Sequence, residues 1–532
     1  MGKIGKRMDE NNKKNGNAMV KKKSSSSFLN IVAAIVYQVI AIIGGFIVPG
    51  LILSTYGASI HGYTSTVSNI IGYVSLVTAG LAPAAVQAYY EALVKRDNRL
   101  ISCVYNTVSR LYNKAGVLYF VSLFIVGIIL QFFLCNQLSV IYIYALLFSS
   151  GLNGVIECFS YSRSRVLLLA DQSLYYVIFV DSAAYLIRVI LQVILIANSG
   201  SIILVMLIPT ILAQLRAVCL QRIIRKRYQI DESVPPDDRL LAKRYHAFVH
   251  QITGLIVLNT DVVLLTIVGN LTQVSQYAIY NLVFTSFYSL LTNMFKNGTV
   301  ASFGRLLFEK KDRLKYVFSQ FEFIYYIVVA IIYSCCGVLI MPFVRLYTAG
   351  QEVKYDNSVI AILFLVIGIL NNIRVPADTL ITAAGHFKET QWRAILEAGI
   401  NLFVSILLIK PFGIVGILLG TVISFTYRSV DIVIYTYKKI LHERMTKCFI
   451  RIVRMLFIVS VCIFVCSIAV HYVTINNWTR WFGASIITGI ISMLLSVGIN
   501  FIYEPKLLRD IVRDYILNEN PNPSVMLDGR GM

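Results

Sequence analysis

Three cationic side chains, Arg188, Lys296 and Arg374, lie inside long apolar stretches of the sequence. A charge at the centre of a bilayer costs about 2.5–3.5 kcal/mol on insertion scales, so one that persists there usually faces a bundle interior or a wet cavity. The arginine guanidinium also presents a planar fork of donors that matches the oxygens of a phosphate. The three residues therefore predict a cationic cavity that binds a phosphate-bearing headgroup.

Each of these cations also has a local explanation, which the sequence leaves open. Arg374 and Asp378 are four residues apart, the spacing of a salt bridge within one helix. Lys296 lies near the end of its apolar stretch and can extend its ammonium group to the interface. Asp181 precedes Arg188 by seven residues, two turns along the same helix face, and can neutralise it.

Acidic residues in apolar stretches are the candidates for coupling transport to an ion. Asp261 follows Asn259 and Thr260 in an otherwise apolar segment, so this polar cluster predicts a site for a coupling cation or a proton. Asp181 is the second candidate. Structural pairing is the alternative for both, as it is for the remaining acidic residues in apolar stretches, Glu322, Glu397 and Asp431.

The composition places these residues in a membrane. Of 532 residues, 57% are apolar and 14% are charged, against about 45–50% and about 25% in soluble domains. Neither disorder, nor collagen, nor a small disulfide scaffold has such a composition. The nine cysteines lack the paired spacing of a zinc site, and no nucleotide-binding loop or HExxH motif is present. We expect neither a metal nor a cofactor.

About fourteen apolar runs are long enough to cross a bilayer as helices, which need about 20 residues each. The sequence predicts an all-α integral membrane protein. The predicted spans are 28–54, 64–91, 112–134, 139–161, 174–197, 201–221, 247–269, 273–303, 320–344, 357–383, 390–410, 412–437, 449–473 and 481–503.

The distribution of basic residues predicts the orientation of these spans. With the N-terminus in the cytoplasm, 41 of the 48 Lys and Arg residues fall in cytoplasmic segments and four fall in external loops. This asymmetry is the one expected of a membrane protein and predicts that both termini are cytoplasmic. The net charge of +21 is then a topology signal, and we expect no nucleic-acid partner.

The longest internal polar stretch divides the spans into two groups of six, followed by two more. This arrangement is expected of a transporter whose repeats move about a site near the membrane midplane. External loops are short, which disfavours a membrane enzyme. The predicted segments are a cytoplasmic basic tail at 1–27, an N-lobe at 28–221, a cytoplasmic linker at 222–246, a C-lobe at 247–440, two further spans at 441–503 and a cytoplasmic tail at 504–532.

Small residues and proline mark positions where helices bend or approach each other closely. Gly413, Gly416 and Gly420 have the spacing that allows two helix backbones to come into contact. Pro376 interrupts the tenth predicted span and weakens helix continuity there.

Several segments resemble bacterial polysaccharide-biosynthesis translocases, the Wzx-like members of the multidrug/oligosaccharidyl-lipid/polysaccharide (MOP) exporter superfamily. The similarity extends over about residues 40–440, and the stretch AGHFKETQ is its most specific part, with His386, Lys388, Glu389, Thr390 and Gln391 as a family signature. The segments that carry the resemblance are LLLADQSLYY at 167–176, NTDVVLL at 259–265, YAIYNLVF at 277–284, AGHFKETQWRAILEAGINLFVSILL at 384–408 and FGIVGILLGT at 412–421.

The resemblance implies two six-helix lobes around a central cavity, alternating access and a lipid-linked oligosaccharide as substrate. Together with the cationic residues, it predicts a flippase for undecaprenyl-diphosphate-linked oligosaccharide in the bacterial inner membrane, serving capsule, exopolysaccharide or lipopolysaccharide O-antigen assembly. Membrane lipids and a polysaccharide polymerase with its export machinery are the expected partners. The alternatives are a cation-coupled drug or metabolite antiporter of the same superfamily, a membrane-bound glycan polymerase and a non-transporting scaffold for a synthesis complex.

Overall fold

The computed structural model describes the backbone of residues 2–241, 260–511 and 513, apart from 79, 172, 310, 472 and 473. Side chains are described from residue 36 onward within these ranges, apart from 241, 297, 298, 301, 308, 309, 311 and 471. The described residues form helices joined by short turns and contain no strand. The helices are α1 (Gly2–Val74), α2 (Leu81–Lys95), α3 (Asn98–Leu134), α4 (Val140–Ile156), α5 (Ser162–Ala170), α6 (Leu174–Ala197), α7 (Ile202–Arg227), α8 (260–268), α9 (Leu271–Glu309), α10 (Lys311–Tyr347), α11 (Ser358–Ile373), α12 (Val375–Ala384), α13 (Phe387–Phe412), α14 (Ile414–Tyr435), α15 (Thr446–His471), α16 (Trp478–Tyr503) and α17 (Pro505–Ile511).

Eleven helical stretches of the described chain are long and apolar enough to cross a membrane. They follow the predicted spans, and the continuous stretch Val36–Lys95 includes residues 36–54 of the first predicted span and all of the second, 64–91. The eighth predicted span lies within α9, whereas residues 247–259 of the seventh lie outside the described residues. The prediction of an all-helical, multi-pass membrane protein is confirmed.

The two ends of the chain are described only in part. Helix α1 begins at Gly2, so the segment predicted as a basic tail at 1–27 is helical from its second residue. The predicted C-terminal tail contains the short helix α17, and residues 514–532 lie outside the described residues.

The described residues divide into two compact units. The first unit takes residues up to 241 except 56–66, and its core joins buried side chains of α2, α3, α5 and α7, among them Tyr89, Val104 and Leu167. The second unit takes residues 56–66 and those from 260 onward. The last two membrane helices, α15 and α16, belong to the second unit.

A glycine in α1 lies at the start of the segment Tyr56–Thr66, which belongs to the second unit. Gly57 has a φ of 83°, a left-handed conformation that L-residues with a side chain rarely adopt. Beyond it, His61 Nδ1 lies 2.7 Å from Ser275 Oγ, and Thr66 Oγ1 lies 2.8 Å from Thr266 Oγ1. Gly62 approaches the backbone so closely that an added Cβ would lie 1.9 Å from the carbonyl oxygen of Leu271.

The tenth predicted span is broken at Arg374, which ends α11 and precedes α12. Pro376 lies in the first turn of α12, where its missing N–H leaves no helix hydrogen bond unmade. The break therefore follows from the sequence, and it places Arg374 at a helix junction inside the membrane-spanning region.

The first part of the predicted linker packs on α3. The Asn106 side-chain amide donates to the carbonyl oxygens of Asp231 and Val234 at 3.0 and 2.8 Å. Arg110 forms an ion pair with Asp238 at 2.5 Å. Residues 228–241 are thus part of the first unit, and residues 242–246 of the predicted linker lie outside the described residues.

The glycines of α14 bring it against α13, as their spacing predicts. A Cβ added at Gly416 would lie 2.0 Å from the Leu408 carbonyl oxygen. We expect Gly416→Ala to lower the free energy of unfolding by about 1–3 kcal/mol, the usual cost of overpacking. Thermal unfolding in detergent measures the change. Gly399→Ala on α13 is the matched control, because a Cβ there meets no atom within 4 Å; an equal loss in both variants would contradict the packing argument.

Candidate substrate and ion-coupling residues

Arg188 lies on α6 in the first unit, with its guanidinium carbon 4.2 Å from the centroid of the Tyr185 ring. Its Nε atom is buried and has no hydrogen-bond partner in the part of the chain that the structure describes. An aromatic face attracts a cation but does not neutralise its charge. The residue therefore retains the capacity to bind an anion.

Asp181, the local partner considered for Arg188, interacts elsewhere. Its carboxylate accepts a hydrogen bond from Tyr161 Oη at 2.6 Å and forms an ion pair with Arg216 at 3.2 Å. Arg216 also pairs with Glu157 at 2.8 Å. This cluster joins α6, α7 and the π-helical turn Glu157–Tyr161, so Asp181 has a structural role in the first unit. Its role in ion coupling stays a prediction.

Arg374 in the second unit is paired with a carboxylate that the sequence did not suggest. Its Nη1 lies 2.6 Å from Glu397 Oε1 on α13, and its Nη2 donates to Asn371 Oδ1 at 2.5 Å. The ring of Phe425 on α14 lies 4.5 Å from the guanidinium carbon. The salt bridge predicted within one helix, between Arg374 and Asp378, is replaced by this contact between helices.

Asp378 instead forms an ion pair with Lys296 of α9. Lys296 therefore does not extend away from the protein as an unpaired cation. Both side chains remain partly accessible, at 25% for Lys296 and 39% for Asp378. The structure places Lys296, Asp378 and Arg374 in one region of the second unit. The predicted cationic site requires Lys296 and Arg374 to lie near each other.

The ion pairs of the second unit continue from Glu397 to α14. Glu397 Oε2 lies 3.5 Å from Arg428 Nε, and Arg428 lies 3.5 Å from Asp431, which also pairs with Arg393. Arg428 lies within the twelfth predicted span, 412–437, and is buried in α14. We call these residues, together with the Lys296–Asp378 pair, the charge network. Its members are four cations and three carboxylates: Lys296, Arg374, Arg393, Arg428, Asp378, Glu397 and Asp431.

Asp261 on α8 is almost fully buried, with 5% of its surface exposed. Its Oδ2 atom accepts hydrogen bonds from Tyr277 Oη at 3.0 Å and from Thr421 Oγ1 at 2.9 Å. The Asn401 amide donates to the same threonine hydroxyl at 3.0 Å. Oδ1 is buried and has no partner among the described residues.

The surroundings of Asp261 are suited to a monovalent cation or a proton. The Asp261 carboxylate and the hydroxyl groups of Tyr277 and Thr421 are hard oxygen groups of low total charge. A transition metal prefers nitrogen and sulfur ligands, and the described residues contain no cluster of three His, Cys, Asp or Glu side chains that could hold one. The role of Asp261 in ion coupling stays a prediction. The contact from Thr421, whose hydroxyl also accepts from Asn401, was not identified from the sequence.

The AGHFKETQ stretch forms the turn between α12 and α13. Gly385 ends α12 with a φ of 71°, and His386 Nδ1 lies 3.0 Å from Tyr435 Oη. The Thr390 hydroxyl donates to the His386 carbonyl oxygen at 2.8 Å. These contacts give the signature a role in fixing the turn.

A second ion cluster holds α15 and α16 to α10, and we call it the clamp. Arg451 of α15 lies 3.1 Å from Glu322 and 2.6 Å from Glu504, and Arg454 lies 2.5 Å from Glu504. Arg451 also donates to Ser319 at 2.9 Å. Both arginines are buried, and both lie near the start of the thirteenth predicted span, 449–473. The sequence carries no local signal for pairs 50 or more positions apart.

Because of the clamp, we expect the stability of the protein to decrease at acidic pH. Burial opposes ionisation of Glu504, but the hydrogen bonds and charges of Arg451 and Arg454 outweigh it and hold its pKa below the usual 4.5. The stabilisation from a lowered carboxylate pKa is complete above the unfolded value and is lost as the pH falls through the folded value. We expect the melting temperature to drop below pH 4.5, and to drop less in Glu504→Gln. If the melting temperature fell equally with pH in the unmodified protein and in Glu504→Gln, Glu504 would not contribute to the acid sensitivity.

No protein-family model matches the sequence, and no curated protein matches it. Several solved structures are similar to this chain. The lipid II flippase MurJ in an inward closed conformation superposes with a TM-score of 0.69 at 14% identity, covering 91% of this chain and 100% of that one. An inward-facing multidrug resistance transporter of the MATE family in the MOP superfamily gives a TM-score of 0.62 at 13% identity, covering 76% and 98%.

A further MATE multidrug transporter, DinF-BH, gives a TM-score of 0.56 at 14% identity, covering 80% of this chain and 97% of that one. At such identities the likeness establishes the fold. The chain therefore has the multi-pass helical fold shared by the flippase and the MATE transporters.

Proposed function

We propose that the protein is a flippase that moves an undecaprenyl-diphosphate-linked oligosaccharide from the cytoplasmic to the external leaflet of a bacterial inner membrane. The product would serve capsule, exopolysaccharide or O-antigen assembly, with a polymerase and export machinery downstream. The observation that supports this most is Arg188, a partly exposed cation on a membrane helix with a buried Nε unpartnered within the described chain. The fold is shared with a protein described as a lipid II flippase.

The charge of the substrate supplies a driving force. A diphosphate with about two negative charges gains about 4.6 kcal/mol per 100 mV on moving outward across an inside-negative membrane, at about 2.3 kcal/mol per charge. The polyprenyl tail stays in lipid while the headgroup crosses by alternating access. Cationic residues along the route lower the cost of the anion at membrane depth, which is the role we assign to Arg188, Arg374 and Lys296.

The second candidate is a cation-coupled antiporter for drugs or metabolites, and the unpartnered oxygen of Asp261 favours it. Such a protein needs an anionic site for a cationic substrate, and the fold is equally that of multidrug transporters. The described charge network has an excess of cations, which favours an anionic substrate. We therefore assign Asp261 to ion coupling and the cations to the substrate, and we place the protein among transporters rather than glycan-polymerising enzymes.

Reconstituted vesicles test the proposal. A radiolabelled, undecaprenyl-diphosphate-linked oligosaccharide is incorporated with the purified protein, and its appearance in the outer leaflet is measured with a glycan hydrolase that cannot cross the membrane. We expect translocation only in vesicles with protein, accelerated by a potential negative on the side the headgroup leaves. Transport of a cationic dye against a sodium or proton gradient, without movement of the lipid, would establish the antiporter instead.

Asp261→Asn separates ion coupling from substrate passage. The amide removes the charge while keeping the shape, so a cation is no longer attracted to the pocket formed with Thr421. We expect the stimulation of translocation by a sodium or proton gradient to be lost, while stimulation by the membrane potential is retained. Vesicles with each gradient imposed separately measure the two effects. If gradient stimulation persists unchanged, Asp261 does not couple an ion.

A further inference from the structure

The charge network contains an anion that competes with the proposed substrate. We infer that Glu397 is a built-in counter-anion: it occupies Arg374 when the site is empty, and the diphosphate of the substrate displaces it toward Arg428. This inference rests on the proposed function and adds to it a residue that sets the affinity for the headgroup and its release.

The geometry of Glu397 divides its two oxygens between two arginines. Oε1 lies 2.6 Å from Arg374 Nη1, a short charge-assisted contact, while Oε2 lies 3.5 Å from Arg428 Nε, beyond a good hydrogen bond. The carboxylate therefore favours Arg374 in the empty site and already lies within reach of the second guanidinium.

The exposed fractions of the side chains indicate which members of the charge network an incoming anion reaches first. Glu397 and Arg428 have 6% and 9% of their side chains exposed. Arg374 has 16% exposed, and Lys296 and Asp378 have 25% and 39%. A headgroup arriving at the more exposed members meets the Lys296–Asp378 pair and Arg374 before it meets Glu397, so it can reach both cations without first opening the buried part.

Arg428 can receive the displaced carboxylate. Its Nη1 is buried and without a hydrogen-bond partner among the described residues, and its contact to Asp431 is 3.5 Å. A carboxylate that turns from Arg374 to Arg428 would satisfy this donor and shorten a long ion pair. Buried charges stay paired throughout the exchange, which avoids the penalty of an uncompensated charge in a low-dielectric interior.

The exchange has a functional consequence. If Glu397 did not compete for Arg374, the cations Arg374 and Lys296 would bind a diphosphate tightly in every conformation, and its release would be slow. A ligand shifts an equilibrium only by its differential affinity for the two states. Return of Glu397 to Arg374 lowers the affinity of the emptying site and assists departure of the headgroup.

Binding and translocation by Glu397→Gln test the inference. The probe for binding is farnesyl diphosphate added to the purified full-length protein, and translocation is measured with the glycan-linked lipid in vesicles. We expect affinity for farnesyl diphosphate to rise about tenfold, within the usual range of coupling between sites, and translocation at saturating lipid to slow by a similar factor. Arg374→Gln combined with Glu397→Gln should lose the gain in affinity.

Glu443→Gln is the control, because it also removes one negative charge from the second unit but pairs with the half-exposed Lys315 outside the network. It should bind and translocate as the unmodified protein does. If Glu397→Gln does not fold, as judged by gel filtration, Glu397→Asp carries the test: it keeps the charge, retracts the carboxylate from Arg374, and should show the same changes at smaller size.

The outcomes separate this inference from the proposed function. Unchanged or weaker binding by the Glu397 variants, with normal binding and translocation by the unmodified protein, would overturn the counter-anion role and leave the flippase intact. Failure of the unmodified protein to translocate the glycan-linked lipid would overturn the proposed function itself, whatever the variants do.

Discussion

Arg188→Gln is expected to stop translocation of the glycan-linked lipid while leaving the protein folded. Loss of one partner of a desolvated charge pair costs about 2–5 kcal/mol, which corresponds to a fall of about 30-fold or more. The same change removes a charge with no ion pair among the described contacts, so the melting temperature should stay constant or rise. The vesicle assay and thermal unfolding in detergent measure the two quantities.

Arg216→Gln is the matched control on the neighbouring helix. Arg216 is paired with Glu157 and Asp181, so its loss leaves two carboxylates without their cation and should reduce stability. Arg188→Lys keeps the charge without the planar fork and should retain part of the activity. Normal translocation by Arg188→Gln would remove this residue from the substrate site.

Arg451→Ala is expected to cause the largest loss of stability in the second unit. The residue has 5% of its side chain exposed and connects Glu322, Glu504 and the backbone of Ser319. Its removal leaves the carboxylate of Glu322 buried without its charge partner, which costs about 3–5 kcal/mol. Because the pairs join α15 and α16 to α10, these two helices should separate first.

Thermal unfolding and limited proteolysis between α14 and α15 measure this effect, with cleavage near residues 442–445 expected to increase. Lys95→Ala is the control, since its ion pair with Glu91 is exposed on both sides and exposed pairs contribute about 0–1 kcal/mol. A small change in Arg451→Ala, similar to that in Lys95→Ala, would show that the clamp does not hold the last two helices.

The clamp attaches the two helices in which the sequence resemblance is missing. Spans thirteen and fourteen carry none of the segments that resemble the Wzx-like translocases, yet they are fixed to α10 by buried ion pairs. Hydropathy detected the two helices because it sums over about 20 neighbouring residues. It could not detect their attachment, because Arg451 and Glu322 are separated by 129 positions.

The sequence by itself determined the membrane class, the approximate positions of most helices and several of the charged residues within the membrane-spanning region. These properties depend on neighbours along the chain: a helix crosses lipid when a run of residues is apolar, and a charge within that run is costly wherever the helix packs. The break at Arg374 was also readable, since Pro376 cannot continue a helix hydrogen-bond ladder.

Only the tertiary structure decided which charges neutralise each other. Asp181 pairs with Arg216 rather than Arg188, and Asp378 pairs with Lys296 rather than Arg374. Such pairs depend on the rotation and register of helices that are distant in sequence, and a shift of one residue turns a side chain by about 100° around the helix axis. The residues of the substrate site could therefore be proposed from the sequence, because the hydropathy of a span is a sum over neighbouring residues. Their partners could not, because an ion pair is a contact between separate helices.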